Sequence, residues 1–161
     1  MAWRCSTTPL DRILASLVYL IPLYDGITYG QFLFAQFPVL NYLKYPLIPL
    51  AIVYGLIPFG LGSLLVFIAL FVGVVRNEKV PHFIRFNTMQ AILISILLSL
   101  VGLIFSYILQ PIIGTGFLTE VLFNTIFLGV LAAVGYGIVQ SAQGRYAEIP
   151  LISEASYLQT R

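Results

Sequence analysis

The stretch Arg76-Asn-Glu-Lys-Val-Pro-His-Phe-Ile-Arg-Phe-Asn-Thr-Met-Gln-Ala-Ile-Leu93 decides how this chain folds. Five ionisable groups (Arg76, Glu78, Lys79, His82 and Arg85) crowd into ten of its residues, and its second half runs straight into an apolar segment of membrane quality. Hydrocarbon does not tolerate such a cluster, so it lies at a water–lipid boundary and sets the direction of the spans on either side. Composition agrees. Of the 161 residues 60% are hydrophobic and 9% charged, with mean hydropathy +0.99. A soluble domain carries about 25% charged residues, so this chain lacks the polar groups to cover its own surface. It reads as an integral, all-α, polytopic membrane protein forming one membrane domain.

A helix needs about 20 apolar residues to cross ~30 Å of hydrocarbon. Four runs qualify, at about 10–30, 57–75, 88–110 and 117–140, and predict a four-helix transmembrane bundle. The third holds 13 Leu, Ile, Val or Phe residues and no charge, which favours insertion by roughly 4–8 kcal/mol. The first is weakest. Its apolar residues from Ile13 to Leu23 gain about 2–4 kcal/mol, while Asp25 at mid-bilayer costs about 2.5–3.5, so Asp25 belongs near the far interface or against other helices. Residues 31–56 are broken by Gln31, Gln36, Asn41, Lys44, Pro46 and Pro49 and crowded with aromatics. They read as a re-entrant or interfacial segment before the second span. With this topology Arg4, Arg12, Arg76, Lys79, Arg85, Arg145 and Arg161 share one side, and Lys44 stands alone on the other. That asymmetry places both termini on the cytoplasmic or stromal side.

Helix association in lipid depends on close packing and interhelical hydrogen bonds. Each span carries small residues at helical spacing: Gly26 and Gly30; Gly62, Ala69 and Gly73; Ser95, Ser99, Gly102 and Ser106; Gly129, Ala133, Gly137 and Ser141. These stripes are expected to serve contacts within the bundle, with a second chain as the alternative use. Asp25, Glu120 and Asn124 are candidates to line an aqueous pathway on the outer side. The structural alternative puts Asp25 at the interface and Glu120 in a first helical turn, where the dipole favours negative charge. Arg85, Asn87 and Gln90 open the third span. Arg85 is expected to reach phosphate headgroups or a partner, Asn87 to cap the helix, and His82 to sit exposed in the loop.

The chain has one cysteine (Cys5) and one histidine, which exclude an internal disulfide and argue against a metal centre. It has no nucleophile elbow, phosphate loop or dinucleotide fingerprint, and a net charge of +2 without a basic run does not suit nucleic acid. No catalytic, cofactor or metal site is expected. The segment before Arg12 is too short for a transit peptide, so synthesis in the compartment of insertion is expected.

Val75-Arg-Asn and Val80-Pro-His-Phe-Ile-Arg-Phe-Asn-Thr-Met-Gln-Ala-Ile-Leu93 resemble the signature of one family. It is the twenty-kilodalton subunit family of the translocon at the inner envelope membrane of chloroplasts, with its cyanobacterial and plastid-encoded relatives. Asp11-Arg12-Ile13, Tyr19-Leu-Ile-Pro-Leu-Tyr-Asp-Gly26, Pro58-Phe59 and the tail from Ile149 and Pro150 through Glu154 to Tyr157 agree with it. The resemblance implies four spans with both termini stromal or cytoplasmic. It further implies membership of a protein-import complex, with other translocon subunits, a transiting polypeptide and further copies of the chain as partners, and a contribution to a preprotein-conducting pathway. The short N-terminus points to a cyanobacterial or plastid-encoded copy. Two other classes remain on the residues alone: a small-solute or ion channel, and an assembly scaffold.

Overall fold

A computed structural model of the protein describes residues 7–58, 61–150 and 152–160. Six helical segments follow one another among them: α1 (Pro9–Gln36), α2 (Pro38–Leu56), α3 (Gly62–Val75), α4 (His82–Ile113), α5 (Phe117–Ala142) and α6 (Ile152–Gln159). No strand occurs among the described residues.

The sequence explains how each begins and breaks. Thr8 caps α1 reciprocally: its Oγ1 accepts from Asp11 N at 3.2 Å, and Asp11 Oδ2 accepts from Thr8 N at 2.9 Å, with Pro9 at the first helical position. The α-helix lapses into a turn at Val18–Tyr19, where the ring of Pro22 excludes the carbonyl four residues back. It resumes at Leu20 and tightens to a 3-10 turn over Ile27–Gly30. α2 is 3-10 through Pro38–Leu47, where Pro46 denies it a donor, and α-helical only over Ile48–Leu56. α3 and α4 each contain a wide π turn, at Phe71–Val75 and Phe105–Leu109. Gly114 (φ 66°) ends α4 and Gly144 (φ 72°) follows α5, both in the left-handed region.

Four helices are long and apolar enough to cross a membrane: α1, α2, α4 and α5. Exposed Leu and Ile side chains such as Ile52, Leu97, Leu100, Leu103 and Leu128 form their outer faces. The second of the four differs from the 57–75 run read from the sequence. Helix α3 is a 9-residue α stretch and a 5-residue π turn, and residues 59 and 60, where that run begins, lie outside the described residues.

Helix α1 lies between α4 and α5. Gly26 meets Val130 and Gly30 meets Phe127 so closely that a methyl group on either would sit 2.8–2.9 Å from those side chains. Gly137 of α5 likewise faces the ring of the buried Tyr19. Tyr19, Leu23, Tyr29, Phe34, Ile94, Leu98, Phe105, Phe123, Phe127, Val130 and Val134 make the core. A smaller cluster of Val75, Met89 and Ile92 joins α3 to α4.

One end of the bundle gathers several distant segments. Arg12 Nε donates to Thr7 Oγ1 at 3.1 Å beside Gly144, and Arg85 Nε donates to Val75 O at 2.8 Å. Arg85 thus serves the end of α3, a favourable place for a cation, with this nitrogen turned to protein rather than to headgroups. Helix α6 crosses the start of α4, its Tyr157 ring 4.5 Å from that of Phe86. His82 is the first residue of α4 rather than an exposed loop residue. Its Nδ1 lies 3.1 Å from Tyr146 Oη and its Nε2 3.3 Å from Thr160 Oγ1. Asn87 is not the cap of α4 either. The helix starts five residues earlier behind Pro81, whose fixed φ suits a helix entrance, and Asn87 is fully buried in the second turn.

Candidate functional site

Two features concentrate the polar groups that sit at membrane depth. The first is a buried knot joining α1, α4 and α5. Tyr19 Oη lies 2.9 Å from Asn87 Oδ1 and 2.8 Å from Gln90 Oε1, Ser141 Oγ donates to Asn87 Oδ1 at 3.0 Å, and Asn87 Nδ2 donates to Phe83 O at 2.8 Å. A phenol has one proton and cannot donate to two amide oxygens. The bonds balance when the Gln90 amide is turned over, so that Nε2, buried and otherwise unpartnered, donates to Tyr19 and Tyr19 donates to Asn87. Asn87 and Gln90 are therefore brought together, but as an internal clasp and not at a surface.

The second feature is a cleft between α1, the α2–α3 turn and α4. It encloses about 430 Å³ and is lined by Asp25, Thr28, Tyr54, Ser63, Ser99 and Ser106, with Phe123 of α5 behind. A second lobe of about 300 Å³ shares Asp25, Tyr54, Ser63 and Ser99 and adds Ser95. Tyr54 meets Tyr24 edge-on, ring centroids 4.7 Å apart, and Gly62 presses on the Tyr54 backbone, so the α2–α3 turn forms the outer wall. Asp25 faces Ser95 without a full hydrogen bond, and Ser95 Oγ is buried with no partner. The small-residue stripe Ser95, Ser99, Gly102, Ser106 lies along this cleft. By contrast, Gly73 and Gly129 of the other stripes face open space.

Glu120 is placed elsewhere. It accepts from Gln36 Nε2 at 2.6 Å on an exposed face, and Asn124 Oδ1 is buried without a partner. Asp25 is thus in the cleft while Glu120 ties the end of α1 to the start of α5. Among the described residues no three His, Cys, Asp or Glu side chains gather as a metal site. Sequence reasoning passed over Tyr19, Tyr54 and Ser63 as participants and counted Ser141 only as a small residue of the α5 contact stripe. The available signal was a tyrosine in mid-span, since a phenol there needs a polar partner on another helix.

These features define a multi-pass helical membrane protein with a buried polar clasp at one place and an open polar cleft at another. Comparison with known proteins then specifies the family. The family described as Chloroplast import apparatus Tic20-like matches residues 8–156, and the chain belongs to it. A Tic20 family protein of Synechocystis sp. is 53% identical over 161 residues, covering all of this chain and 99% of the relative. Protein TIC 20-II, chloroplastic, of Arabidopsis thaliana is 33% identical over 159 residues, 95% of this chain and 75% of the relative. The Tic20 family protein Ycf60 of Pyropia yezoensis is 34% identical over 153 residues, 92% and 74% of the two chains.

Proposed function

We propose that this chain is a membrane subunit of a protein-import or translocation complex and contributes to the pathway of the transported polypeptide. The observation that carries the reading is the family match across residues 8–156, with chloroplast import named in the family's description. The cleft is narrow for a polypeptide, so a complete conduit takes further copies or other subunits.

The topology we infer keeps α2 and the α2–α3 turn in the outer half of the membrane as a re-entrant or interfacial piece. Tyr54, at the end of α2, contacts Tyr24, which is 15 residues into α1 from Pro9 and hence about 22 Å along it. A segment that begins beside Phe34 and ends beside Tyr24 returns only part of the way. Val75 then reaches the end occupied by Arg85, so α3 runs back to the side that carries most of the Lys and Arg residues. That side is the cytoplasmic or stromal one by the positive-inside rule.

The test is purification in mild detergent from cells holding a preprotein arrested in transit, with photocrosslinkers at Ser99 and Ser106. Crosslinks to the arrested chain and co-purifying translocon subunits are the expected result. Recovery of a lone homo-oligomer, or of assembly intermediates of another membrane complex without preprotein crosslinks, would reject the reading.

A further inference from the structure

The cleft at Asp25 has a composition that selects its ligand. Asp25 is the one charged residue among those lining either lobe; the polar remainder is hydroxyl, from Thr28, Tyr54, Ser63, Ser95, Ser99 and Ser106. A carboxylate at membrane depth costs several kcal/mol unless it is paired or takes up a proton, and no Lys, Arg or His among the described residues lines the cleft to pair with it. An anion would meet repulsion and only weak donors there. A divalent metal ion needs several charged oxygens, and the cleft offers one carboxylate. The aromatic rings of Tyr24 and Tyr54 are among the groups that line it, and aromatic rings attract organic cations. The volume of about 430 Å³ equals that of roughly a dozen waters at ~30 Å³ each, enough for an alkylammonium group with part of its hydration.

We infer that this cleft is a binding site for a monovalent organic cation, an ammonium or guanidinium group, with Asp25 as its counter-ion and the Ser63, Ser95 and Ser99 hydroxyls as its acceptors. The cation comes either from a lysine or arginine side chain of a polypeptide or from the amine of a lipid headgroup. The first source rests on the translocation reading above; the site itself does not.

The experiment uses the full chain carrying Cys5→Ser and Ser106→Cys in nanodiscs, with Thr28→Cys as a second reporter; both positions line the cleft and neither is one of the acceptors. Reaction of the cysteine with a trimethylammonium methanethiosulfonate is compared with that of a sulfonate reagent of similar size, each normalised to a free thiol. The cationic reagent should react at least about tenfold faster, the lower range of enrichment for a cleft of one charge sign. The preference should collapse towards one with Asp25→Asn and persist with Asp25→Glu. Butylammonium should slow labelling only when the carboxylate is present. Equal rates for the two reagents, a preference that survives Asp25→Asn, or a cysteine that reacts only after unfolding would each overturn the site. Protection by a lysine-bearing peptide but not by its norleucine analogue identifies the polypeptide source. Protection that appears only in nanodiscs containing phosphatidylethanolamine identifies the lipid, retaining the site while removing the polypeptide from it.

Discussion

Replacing Tyr19 by Phe should destabilise the bundle by about 1–3 kcal/mol, and the structure sets that range. The phenol joins α1 to α4 through contacts of 2.9 Å to Asn87 and 2.8 Å to Gln90. Interhelical hydrogen bonds in membranes average about 0.6 kcal/mol each with a maximum near 1.7, so the loss of two gives about 1.2–3.4. The substitution leaves the ring and its packing in place, so no cavity contributes. It strands the Gln90 amide in a fully buried position, and an orphaned buried amide costs about 1–3 kcal/mol by itself. The two figures describe the same loss and are not added. Asn87 keeps its bond from Ser141 at 3.0 Å, so Ser141→Ala should cost less, about 0.6 kcal/mol for a single bond. Converting both partners, as Tyr19→Phe with Gln90→Leu, removes the orphan and should be less damaging than the sum of the single changes. Reversible unfolding in mixed dodecyl maltoside and SDS micelles, or steric trapping in bicelles, measures the parent, the three single variants (Tyr19→Phe, Gln90→Leu and Ser141→Ala) and the double variant. A Tyr19→Phe variant within about 0.3 kcal/mol of the parent, or a strictly additive double mutant, would refute the clasp.

Gly137→Ala should destabilise by about 1–3 kcal/mol through overpacking, because its methyl group enters the ring of the immobile Tyr19. Gly129→Ala, on the same helix with open space around it, should be neutral or stabilising by up to about 1 kcal/mol; equal effects in the same unfolding assay would contradict the packing. Cysteines at Lys79 and Leu158 in a Cys5→Ser background should label from one side of the membrane and a cysteine at Tyr42 from the other; Lys79 and Leu158 labelling from opposite sides would defeat the topology. Tyr157→Ala removes the ring that packs 4.5 Å from Phe86 and should speed proteolysis of the C-terminal segment with little change in bundle stability. Unchanged cleavage would mean that α6 is held by other contacts.

The parts of the fold that were legible in sequence are those where hydropathy acts alone. Residues 88–110 and 117–140 are long, uncharged over most of their length and unbroken, and they fall within α4 and α5. Prolines blurred the region from 38 to 62. A 3-10 stretch with Pro46 inside it keeps enough apolar residues to form a 19-residue helix with the length and hydropathy of a span, while α3 is left shorter. Hydropathy cannot rank such segments, because their placement depends on which side chains Tyr24 and Gly62 meet. The motif beginning at Val80 was visible as a motif, but its polar residues were assigned outward roles. Asn87 looked like a cap because it precedes the apolar run. Only the path of α1, which brings Tyr19 alongside, turns it inward. Asp25 was legible as costly, whereas the stripe Ser95, Ser99, Gly102, Ser106 was read as a contact face and instead lines the cleft, with Ser99 and Ser106 exposed. That the two meet at one cleft is a tertiary fact, decided by the relative rotation of α1 and α4.

The placement of α1 between α4 and α5 bears on how the protein is made. Helix α1 leaves the ribosome ahead of the other described helices and is weakly held in lipid by itself, since its apolar gain and the cost of Asp25 nearly cancel. Its glycines seat it against α5, which is synthesised about ninety residues later. During that interval α1 has α2 and then α4 as neighbours, and Gly26, Gly30 and half of the Tyr19 environment face no final partner. The nascent chain must therefore be sheltered by the insertion machinery until its last long helix arrives. Biogenesis becomes a late-closing event, in which the C-terminal half of the sequence decides whether the N-terminal half remains in the membrane.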